Sequence, residues 1–508
     1  MESIERKKEV VRHFLDRGIL VSSDFLESFN SEEKLDQISG LPEDLLILQK
    51  ETLSLIGEKL NWSEYERVKV LEEKGKAKVE YTKIEEKKAP PFKIVTSHEM
   101  EPEKREVSNF VDYFSVRYKN FERLLKSRHE IVNLMSVSRA KNKKEKETLS
   151  IIGLVASKDF TKAGNLIITL EDQTGSIKVL LSKNKPELFN HARDLVLDEV
   201  VGIVGVCGEN IVFANEVVWP DIPLTKELKK SAKEEYALFL SDVHVGSNLF
   251  LEKDFQKFTN WLSGNAGNEK QKEIASKVKY IFIVGDLVDG CGIYPSQEKD
   301  LVIKNITDQY KRAAELLKQI PKEMNIIICP GNHDAVRLSE PQPRLYEDFA
   351  ADLYSMPNVT LVSNPSLINI SSDGKTPGLD VLMYHGFSFD YYIANVDTIR
   401  NNGGYDRADL VMKFLLQRRH LAPSHTSTLY IPDTQKDPLI IDQIPDIFVT
   451  GHIHKSIVAQ FRNITLISGS CWQSKTDYQE KLGHNPEPSR VPIVNLHTRE
   501  AKILRFGE

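Results

Sequence analysis

Cysteine is scarce in this sequence, and long apolar runs are missing. The 508 residues include four scattered cysteines, Cys207, Cys291, Cys329 and Cys471, and no Cys-x-x-Cys pair. This spacing argues against a disulfide framework and against a thiolate zinc site. No apolar run approaches the ~18 residues of a membrane-spanning helix, and no apolar segment follows the charged N-terminus as it would in a signal peptide. We therefore expect an intracellular, cytoplasmic protein with no membrane partner.

A strong net charge is missing as well. The 68 Lys and Arg residues against 74 Asp and Glu leave a formal charge of −6. This balance argues against nucleic-acid binding over the whole surface, although it is compatible with one local basic groove. The apolar fraction of 40% and the charged fraction of 28% are typical of a globular protein. With about 150 residues per domain, the length predicts about three domains.

The N-terminal part of the chain divides into a helical stretch and a charged stretch. Apolar residues recur at helical spacing up to about Leu71, as Phe14 and Leu15 illustrate. We interpret residues 1–71 as a small helical domain for packing or for docking a partner. Lys and Glu then dominate residues 72–117, with two adjacent prolines among them, and this composition predicts a flexible charged linker.

Residues 118–222 change from helical to strand periodicity. After helical spacing in the first part, short alternating strands are predicted at residues 149–155, 165–171, 176–181, 199–206 and 210–218. A helix-like stretch, residues 186–193, lies between the third and fourth strands, and this order is typical of an OB-fold β-barrel. Such barrels bind single-stranded nucleic acid or dock proteins, and the few aromatic residues here leave both roles open.

Residues 223–508 alternate strands with helices, and polar residues directly follow five of the predicted strands. Those strands run into Ser241-Asp242-Val243-His244, Gly285-Asp286-Leu287-Val288-Asp289, Gly331-Asn332-His333-Asp334, His385-Gly386 and Gly451-His452-Ile453-His454. In α/β folds the carboxyl ends of the strands converge on one crevice. We therefore expect these five loops to meet.

The residues of these loops are metal ligands of one chemical type. The candidate ligands are Asp242, His244, Asp286, Asn332, His385, His452 and His454. Carboxylate, amide and imidazole donors without thiolate suit Mn²⁺, Fe²⁺ or Zn²⁺, and seven donors are enough for two ions. A carboxylate such as Asp286 would bridge two ions about 3.5–4 Å apart, the arrangement that hydrolyses phosphodiesters.

Any one of these histidines, taken alone, would more often be structural. The hypothesis therefore rests on the recurrence of the pattern after five strands in one order. The remaining C-terminal histidines do not follow a predicted strand in this way, and we expect them to be structural: His420, His425, His484 and His497.

The five blocks resemble the calcineurin-like metallophosphoesterase family. The motifs that carry the resemblance are Asp242-Val-His244, Gly285-Asp286-x-x-Asp289, Gly331-Asn332-His333-Asp334, His385 and Gly451-His452-x-His454. The stretch from Val336 to Pro343, together with Ile444-Pro445-Asp446 and the upstream barrel, resembles the small subunits of archaeal family D DNA polymerases. This resemblance covers residues 126–508 well. It implies a multidomain chain with a small helical N-terminal domain, an OB-fold β-barrel and an α/β two-sheet sandwich flanked by helices.

The same resemblance implies a function and a role for each site residue. It implies a manganese-dependent 3′–5′ exonuclease that proofreads for a large catalytic polymerase subunit and acts on single-stranded or primer-template DNA. By position, one ion would be held by Asp242, His244, Asp286 and His454, and the other by Asp286, Asn332, His385 and His452. His333 would be the general acid that protonates the departing 3′ oxygen. Two alternatives stay open: a non-catalytic scaffold that bridges the large subunit and a sliding clamp, and a stand-alone phosphodiesterase.

Overall fold

A computed structural model describes most of the chain after residue 90. The described residues there are 91–99, 103–143, 147–373, 376–481 and 483–507. Before them the structure describes only residues 11, 14–15, 20–21, 47–48, 66–73 and 76–83. The chain divides into two compact units, Met1–Ala89 and Pro90–Glu508.

The first unit contains four short strands among its described residues. Strands β1 (Leu20–Val21) and β2 (Ile47–Leu48) pair in parallel, and β3 (Glu66–Glu73) pairs with β4 (Lys76–Lys83) in an antiparallel hairpin. These strands correct the prediction of a purely helical stretch followed by a linker. Apolar and charged residues alternate along β3 and β4, and this period of two favours strands in spite of the high Lys and Glu content. Most of the predicted helical domain lies outside the described residues.

The second unit begins inside the predicted linker. Strand β5 (Phe92–Ser97) joins the edge of a six-stranded sheet, and helix α1 (Val107–Lys126) follows it. The prediction of a linker through residue 117 is therefore wrong for these residues. The physical reason is burial, because Phe92 packs into the core of that sheet and α1 buries Tyr113 and Phe121.

The next five strands close into a barrel. They are β6 (Thr148–Phe160), β7 (Leu166–Asp172), β8 (Gly175–Leu181), β9 (Val200–Gly208) and β10 (Ile211–Val218), in the order β10-β8-β7-β6-β9. Helix α2 (Val137–Lys141) precedes the barrel, and α3 (Pro186–Ala192) lies between the third and fourth strands. Closure leaves no free sheet edge, and the inward-facing residues form a separate apolar core.

The remaining strands form two six-stranded sheets. They are β11 (Tyr236–Leu240), β12 (Val278–Val284), β13 (Asn325–Cys329), β14 (Val359–Leu361), β15 (Ser366–Ile370), β16 (Leu379–Met383), β17 (Ile447–Thr450), β18 (Ile457–Phe461), β19 (Ile464–Ser468), β20 (Arg490–Asn495) and β21 (Ala501–Arg505). One sheet has the order β14-β13-β12-β11-β20-β21, and the other has the order β18-β19-β17-β16-β15-β5. Strands β11 to β14 run parallel to one another, as do β16, β17 and β19.

Helices cover the outer faces of the two sheets. They are α4 (Glu252–Leu262), α5 (Glu269–Ser276), α6 (Ile306–Leu317), α7 (Glu347–Tyr354), α8 (Phe389–Asn395), α9 (Asp397–Asn401), α10 (Ala408–Arg418) and α11 (Asp477–Lys481), with 3₁₀ turns at Gln297–Lys299, Gly404–Asp406 and His425–Ser427. Apolar side chains from both sheets, such as Phe282 and Val449, pack against one another in the middle. The domain is thus a two-layer sandwich between helices, and the carboxyl ends of its parallel strands lie where the candidate ligands follow.

The part of the chain that the structure describes contains no helix that is both long and apolar enough to cross a membrane.

Candidate metal centre

The structure brings all seven predicted ligands into one cluster, which we call the donor cluster; five of them are buried, and Asn332 and His452 are partly exposed. Its members are Asp242, His244, Asp286, Asn332, His385, His452 and His454. They follow the carboxyl ends of β11, β12, β13, β16 and β17, so both sheets contribute. Donor atoms of Asp242, His244 and His454 all lie within 4.8 Å of one another, and so do those of Asp242, Asp286 and His385.

One half of the donor cluster is built around His454. Its Nε2 lies 3.2 Å from Asp242 Oδ1 and 3.2 Å from His244 Nε2. The backbone N–H of His452 donates to both oxygens of Asp242, at 3.2 and 3.0 Å, and this fixes the carboxylate. Two imidazole nitrogens and a carboxylate oxygen thus point at one small volume.

The other half of the donor cluster is built around Asn332. Its Oδ1 lies 2.9 Å from His385 Nε2 and 3.1 Å from His452 Nδ1. The same His385 Nε2 is 3.3 Å from Asp286 Oδ2. Asp286 therefore belongs to this second group by distance. Asp242 lies close to donor atoms of both groups and so links the second group to the first.

The backbone at the donor cluster adopts an unusual conformation. Five of the seven residues have a left-handed φ angle: Asp242 (51°), His244 (54°), Asp286 (51°), His452 (67°) and His454 (56°). A non-glycine residue in this region costs roughly 1–3 kcal/mol, and such residues concentrate at functional sites. The turns that aim these side chains inward are held by the surrounding fold.

Glycines beside the donor cluster provide space that no other residue would leave. A Cβ on Gly331 would lie 2.2 Å from Asp286 Oδ1, and one on Gly285 would lie 2.1 Å from His385 Nδ1. A Cβ on Gly451 would lie 2.6 Å from Asp242 Oδ2. The glycines of the sequence motifs are therefore required by close packing against the ligands, and not only by the turns.

Contacts at Nδ1 set which ring nitrogen of two histidines faces the cluster. His385 Nδ1 donates to the Val284 carbonyl at 3.0 Å, and His244 Nδ1 lies 3.0 Å from an oxygen of the Asp289 carboxylate. Each Nε2 is thereby left to face the other donors. Metal-binding histidines in proteins usually donate their second N–H in this way. The arrangement fits a divalent cation on each Nε2.

The charges within the donor cluster depend strongly on one another. Burial by itself would raise the pKa of Asp286, but the imidazoles of His385 and His333 outweigh it and hold that pKa well below its usual range. Burial would lower the pKa of His385, yet the Asp286 carboxylate raises it to about 10. Burial and the nearby Asp286 raise the pKa of Asp334 to about 6. Several buried carboxylates thus require positive charge close by, which bound divalent cations would supply.

His333 lies beside the donor cluster. Its backbone N–H donates to Asp286 Oδ1 at 2.7 Å, and its Nδ1 donates to the Asp289 carbonyl at 2.8 Å. Its ring contacts that of His244 edge-on, with centroids 4.7 Å apart. The loop that carries Asp286 and Asp289 therefore orients His333, and the His333 ring packs against His244 of a different loop.

Asp289, Asp390 and Gln479 contact the ligands and were not assigned a role from the sequence. Asp289 belongs to the Gly-Asp-x-x-Asp block and orients His244, so its place in that motif was a usable signal. Asp390 accepts a hydrogen bond from His452 Nε2 at 2.9 Å, and the Gln479 amide lies 2.9 Å from His454 Nδ1. Neither Asp390 nor Gln479 follows a predicted strand, so the sequence held no comparable signal for them.

The structure thus combines a two-sheet α/β sandwich that carries the donor cluster with a separate five-stranded barrel. Residues 237–458 match the B-subunit family of DNA polymerases alpha and epsilon. The DNA polymerase II small subunit of Methanothermobacter thermautotrophicus is 37% identical over 402 residues, which are 79% of this chain and 80% of that protein. The protein of the same name from Pyrococcus furiosus is 36% identical over 404 residues, 79% of this chain and 64% of that protein.

This chain belongs to the family of archaeal DNA polymerase II small subunits, which confirms the family D resemblance. It is a component of a DNA-replicating polymerase, and a small subunit implies a large catalytic subunit as its partner. Among solved structures, one titled as a novel archaeal phosphodiesterase aligns with 53% of this chain and 98% of that chain. That alignment has 13% sequence identity and a TM-score of 0.24.

Proposed function

We propose that this small subunit is a metal-dependent 3′–5′ exonuclease that removes mispaired nucleotides for its polymerase, with Mn²⁺ as the preferred ion. The observation that carries this proposal is the complete donor cluster, with His333 placed beside it. Seven oxygen and nitrogen donors converge without a thiolate, and this set suits Mn²⁺, Fe²⁺ or Zn²⁺.

The donor cluster offers two groups of ligands. One ion would be held by Asp242, His244, Asp286 and His454, and the other by Asp286, Asn332, His385 and His452. When bound, such a pair of cations neutralises charge on the scissile phosphate and makes water a nucleophile at neutral pH. Asp289 and Val284 keep His244 and His385 in the orientation that leaves their Nε2 atoms available.

In this proposal His333 transfers a proton. Its Nδ1 is engaged with the Asp289 carbonyl, so Nε2 is the atom that gives a proton to the departing 3′ oxygen. The hydrogen bond from its backbone N–H to Asp286 keeps the ring at a constant position relative to the ligands. Proton transfer from a positioned imidazole contributes about 10²–10⁴ in rate.

The experiment that tests this role replaces His333 with alanine. We expect His333→Ala to slow Mn²⁺-dependent shortening of a 5′-labelled single-stranded oligonucleotide from its 3′ end by about 10²–10⁴-fold. Its metal content, measured by mass spectrometry, should equal that of the wild type. The matched control is His191→Ala, because His191 is an exposed histidine on the barrel helix α3. Unchanged cleavage by His333→Ala would remove His333 from the mechanism.

The same assay separates the exonuclease from the two alternatives. A scaffold that bridges the large subunit and a sliding clamp would show no cleavage, either alone or in complex with the large subunit. A stand-alone phosphodiesterase would turn over cyclic nucleotides faster than oligonucleotides. We expect oligonucleotide cleavage that requires a divalent cation and stops when EDTA is added.

The barrel is proposed to contact the DNA strand. Two of its aromatic side chains, Phe160 and Phe213, are largely exposed, at 59% and 45%. Exposed aromatic rings on an OB-type barrel stack with bases of single strands. Loss of single-strand binding in Phe160→Ala, with cleavage of a dinucleotide unchanged, would support this role.

A further inference from the structure

Three half-buried aromatic rings lie at the edge of the donor cluster, and the proposed mechanism does not use them. They are Phe387, Tyr405 and His484, which we call the rim rings. Phe387 follows the ligand His385 by two residues, and its ring centroid lies 5.8 Å from that of the ligand His452. This inference rests on the proposed exonuclease function and concerns the part of the substrate that the rim rings would bind.

Tyr405 is tied to the donor cluster through one carboxylate. It lies in the 3₁₀ turn Gly404–Asp406, where Gly403 has a φ of 117°. Its hydroxyl donates to the Asp390 carboxylate, and the other partner of that carboxylate is His452 Nε2, at 2.9 Å. A single side chain, that of Asp390, therefore connects Tyr405 to the candidate ligand His452.

His484 is tied to the donor cluster through a different segment. Its backbone N–H donates to the Gln479 carbonyl at 2.8 Å, and the Gln479 amide contacts His454 Nδ1 at 2.9 Å. The backbone N–H of Glu487 donates to the His454 carbonyl at 2.9 Å. Gln479 and Glu487, which lie on either side of His484 in the chain, therefore both contact the ligand His454.

The two segments meet at their rings. The ring centroids of Tyr405 and His484 are 4.1 Å apart, with an interplanar angle of 39°. Both side chains remain partly exposed, so part of their surface is open to a ligand. A partly exposed pair of rings beside a phosphodiester-cleaving centre has the chemistry of a site for a planar base.

We propose that the rim rings form a subsite for the unpaired nucleobase at the 3′ end of the substrate, with Tyr405 and His484 as its main stacking surface. A base in a duplex is already stacked on its neighbours, whereas a mispaired 3′ base is free to stack on protein rings. Stacking of a base on an aromatic side chain is worth about 1–3 kcal/mol and tolerates all four bases. Such a subsite favours frayed ends over paired ends without reading sequence.

The test combines a change in the protein with a change in the DNA. Cleavage by the wild type and by Tyr405→Leu is measured on two single-stranded oligonucleotides that differ only at the 3′ terminus, one with thymidine and one with an abasic nucleotide. We expect removal of the base to raise the wild-type KM by about tenfold, because ~1.4 kcal/mol corresponds to a factor of ten. The same removal should change the KM of Tyr405→Leu less than twofold.

Two further variants separate stacking from a structural role. Tyr405→Phe keeps the ring and loses the hydrogen bond to Asp390, so it should retain the preference for the base-bearing end. His484→Leu should reduce that preference as Tyr405→Leu does. The matched control is Tyr236→Leu, because Tyr236 is a half-buried tyrosine at the start of β11, the opposite end of that strand from Asp242. This control should keep the full preference.

The outcomes distinguish this inference from the proposed function. Equal wild-type KM values for the two oligonucleotides, with cleavage of both, would overturn the base subsite and leave the exonuclease intact. Loss of the preference in Tyr405→Phe would also overturn it, because the hydrogen bond to Asp390 would then be responsible. Cleavage of neither oligonucleotide by the wild type with Mn²⁺ would overturn the proposed function and the subsite together.

Discussion

The sandwich domain contains two buried clusters of similar residues that differ in how their polar atoms are paired. One is the donor cluster. The second, which we call the Arg117 network, consists of Tyr113, Arg117, His420, Tyr430 and Asp437. Arg117 Nε donates to Asp437 Oδ2 at 2.7 Å, and Arg117 Nη1 donates to the Pro423 carbonyl at 2.6 Å. Each charge in this network has a protein partner of opposite sign or a carbonyl.

The Asp437 carboxylate shows how complete that pairing is. It also accepts from the Tyr113 hydroxyl at 2.7 Å and lies 2.9 Å from His420 Nε2. In the donor cluster, by contrast, His244 Nε2 faces His454 Nε2 at 3.2 Å, and Asn332 Oδ1 faces two imidazoles. This difference shows that the burial of Asp and His side chains does not by itself identify a functional site. The informative feature is a convergence of electron-pair donors that bound cations would satisfy.

The largest loss of stability is expected from a substitution in the Arg117 network. Asp437→Asn leaves a fully buried guanidinium without its counter-ion, and breaking such a pair costs about 3–5 kcal/mol. We expect the free energy of unfolding, measured with urea, to fall by that amount. The control is Asp442→Asn, because Asp442 pairs with Arg123 at the exposed surface and should cost less than about 1 kcal/mol. A loss below about 1 kcal/mol in Asp437→Asn would show that the network contributes little.

The next effect tests the donor cluster by adding a divalent cation. At a free Mn²⁺ concentration about 100 times its dissociation constant, binding should stabilise the wild type by about 2.7 kcal/mol, measured as a higher melting temperature than in EDTA. Asp286→Asn removes a carboxylate close to both groups of ligands and should lose most of this stabilisation. Asp437→Asn should begin at a lower melting temperature and still gain from Mn²⁺. Equal gains in all three proteins would mean that the ions bind elsewhere.

The smallest predicted effect is a dependence of the free energy of unfolding on pH. Burial, followed by the charge of Arg117, lowers the pKa of His420 to about 4, whereas an unfolded histidine titrates near 6.5. The unfolded state therefore binds more protons below pH 6.5, so this stabilisation is present above pH 6.5 and is lost as the pH falls toward 4. Between pH 7.5 and 5, His420 should account for a loss of about 2 kcal/mol.

His420→Gln provides the measurement of that loss. Urea unfolding at pH 7.5 and at pH 5, in EDTA, should show a smaller acid-induced decrease in this variant than in the wild type. His191→Gln serves as the control, because His191 is exposed and should behave as the wild type does. An equal decrease in His420→Gln and in the wild type would show that other groups cause the acid sensitivity.

The strands and the donor cluster differ in how far they could be predicted. Strands β13 and β19 lie where short runs rich in β-branched residues predict them, and β11 lies where an apolar run predicts it, because a buried parallel strand needs apolar residues on both faces. The ligands lie within a few residues of the ends of β11, β12, β13, β16 and β17, so the sequence already groups each ligand with its strand. The assignment of individual ligands to ions stays a prediction.

Other features could not be predicted because their partners are far apart in the chain. Strand β5 lies in a stretch rich in Lys and Glu, and only its pairing with β15 makes it part of a sheet. The helix expected from residue 118 begins at Val107, because the buried face of α1 packs against side chains some 300 residues later, as Arg117 does with Asp437. Local composition carries no signal of such partners.

The sequence by itself determined the family, the strands that precede the ligands and the residue types that can hold cations, since these depend on short motifs next to each strand. Only the tertiary structure decided that His420 belongs to a closed ion-pair network while His484, another histidine expected to be structural, lies with Tyr405 beside the ligands. It also decided that Asp390 and Gln479 contact the ligand histidines. The physical reason is that a side chain's role depends on its neighbours in space, and those neighbours come from loops that the fold alone brings together.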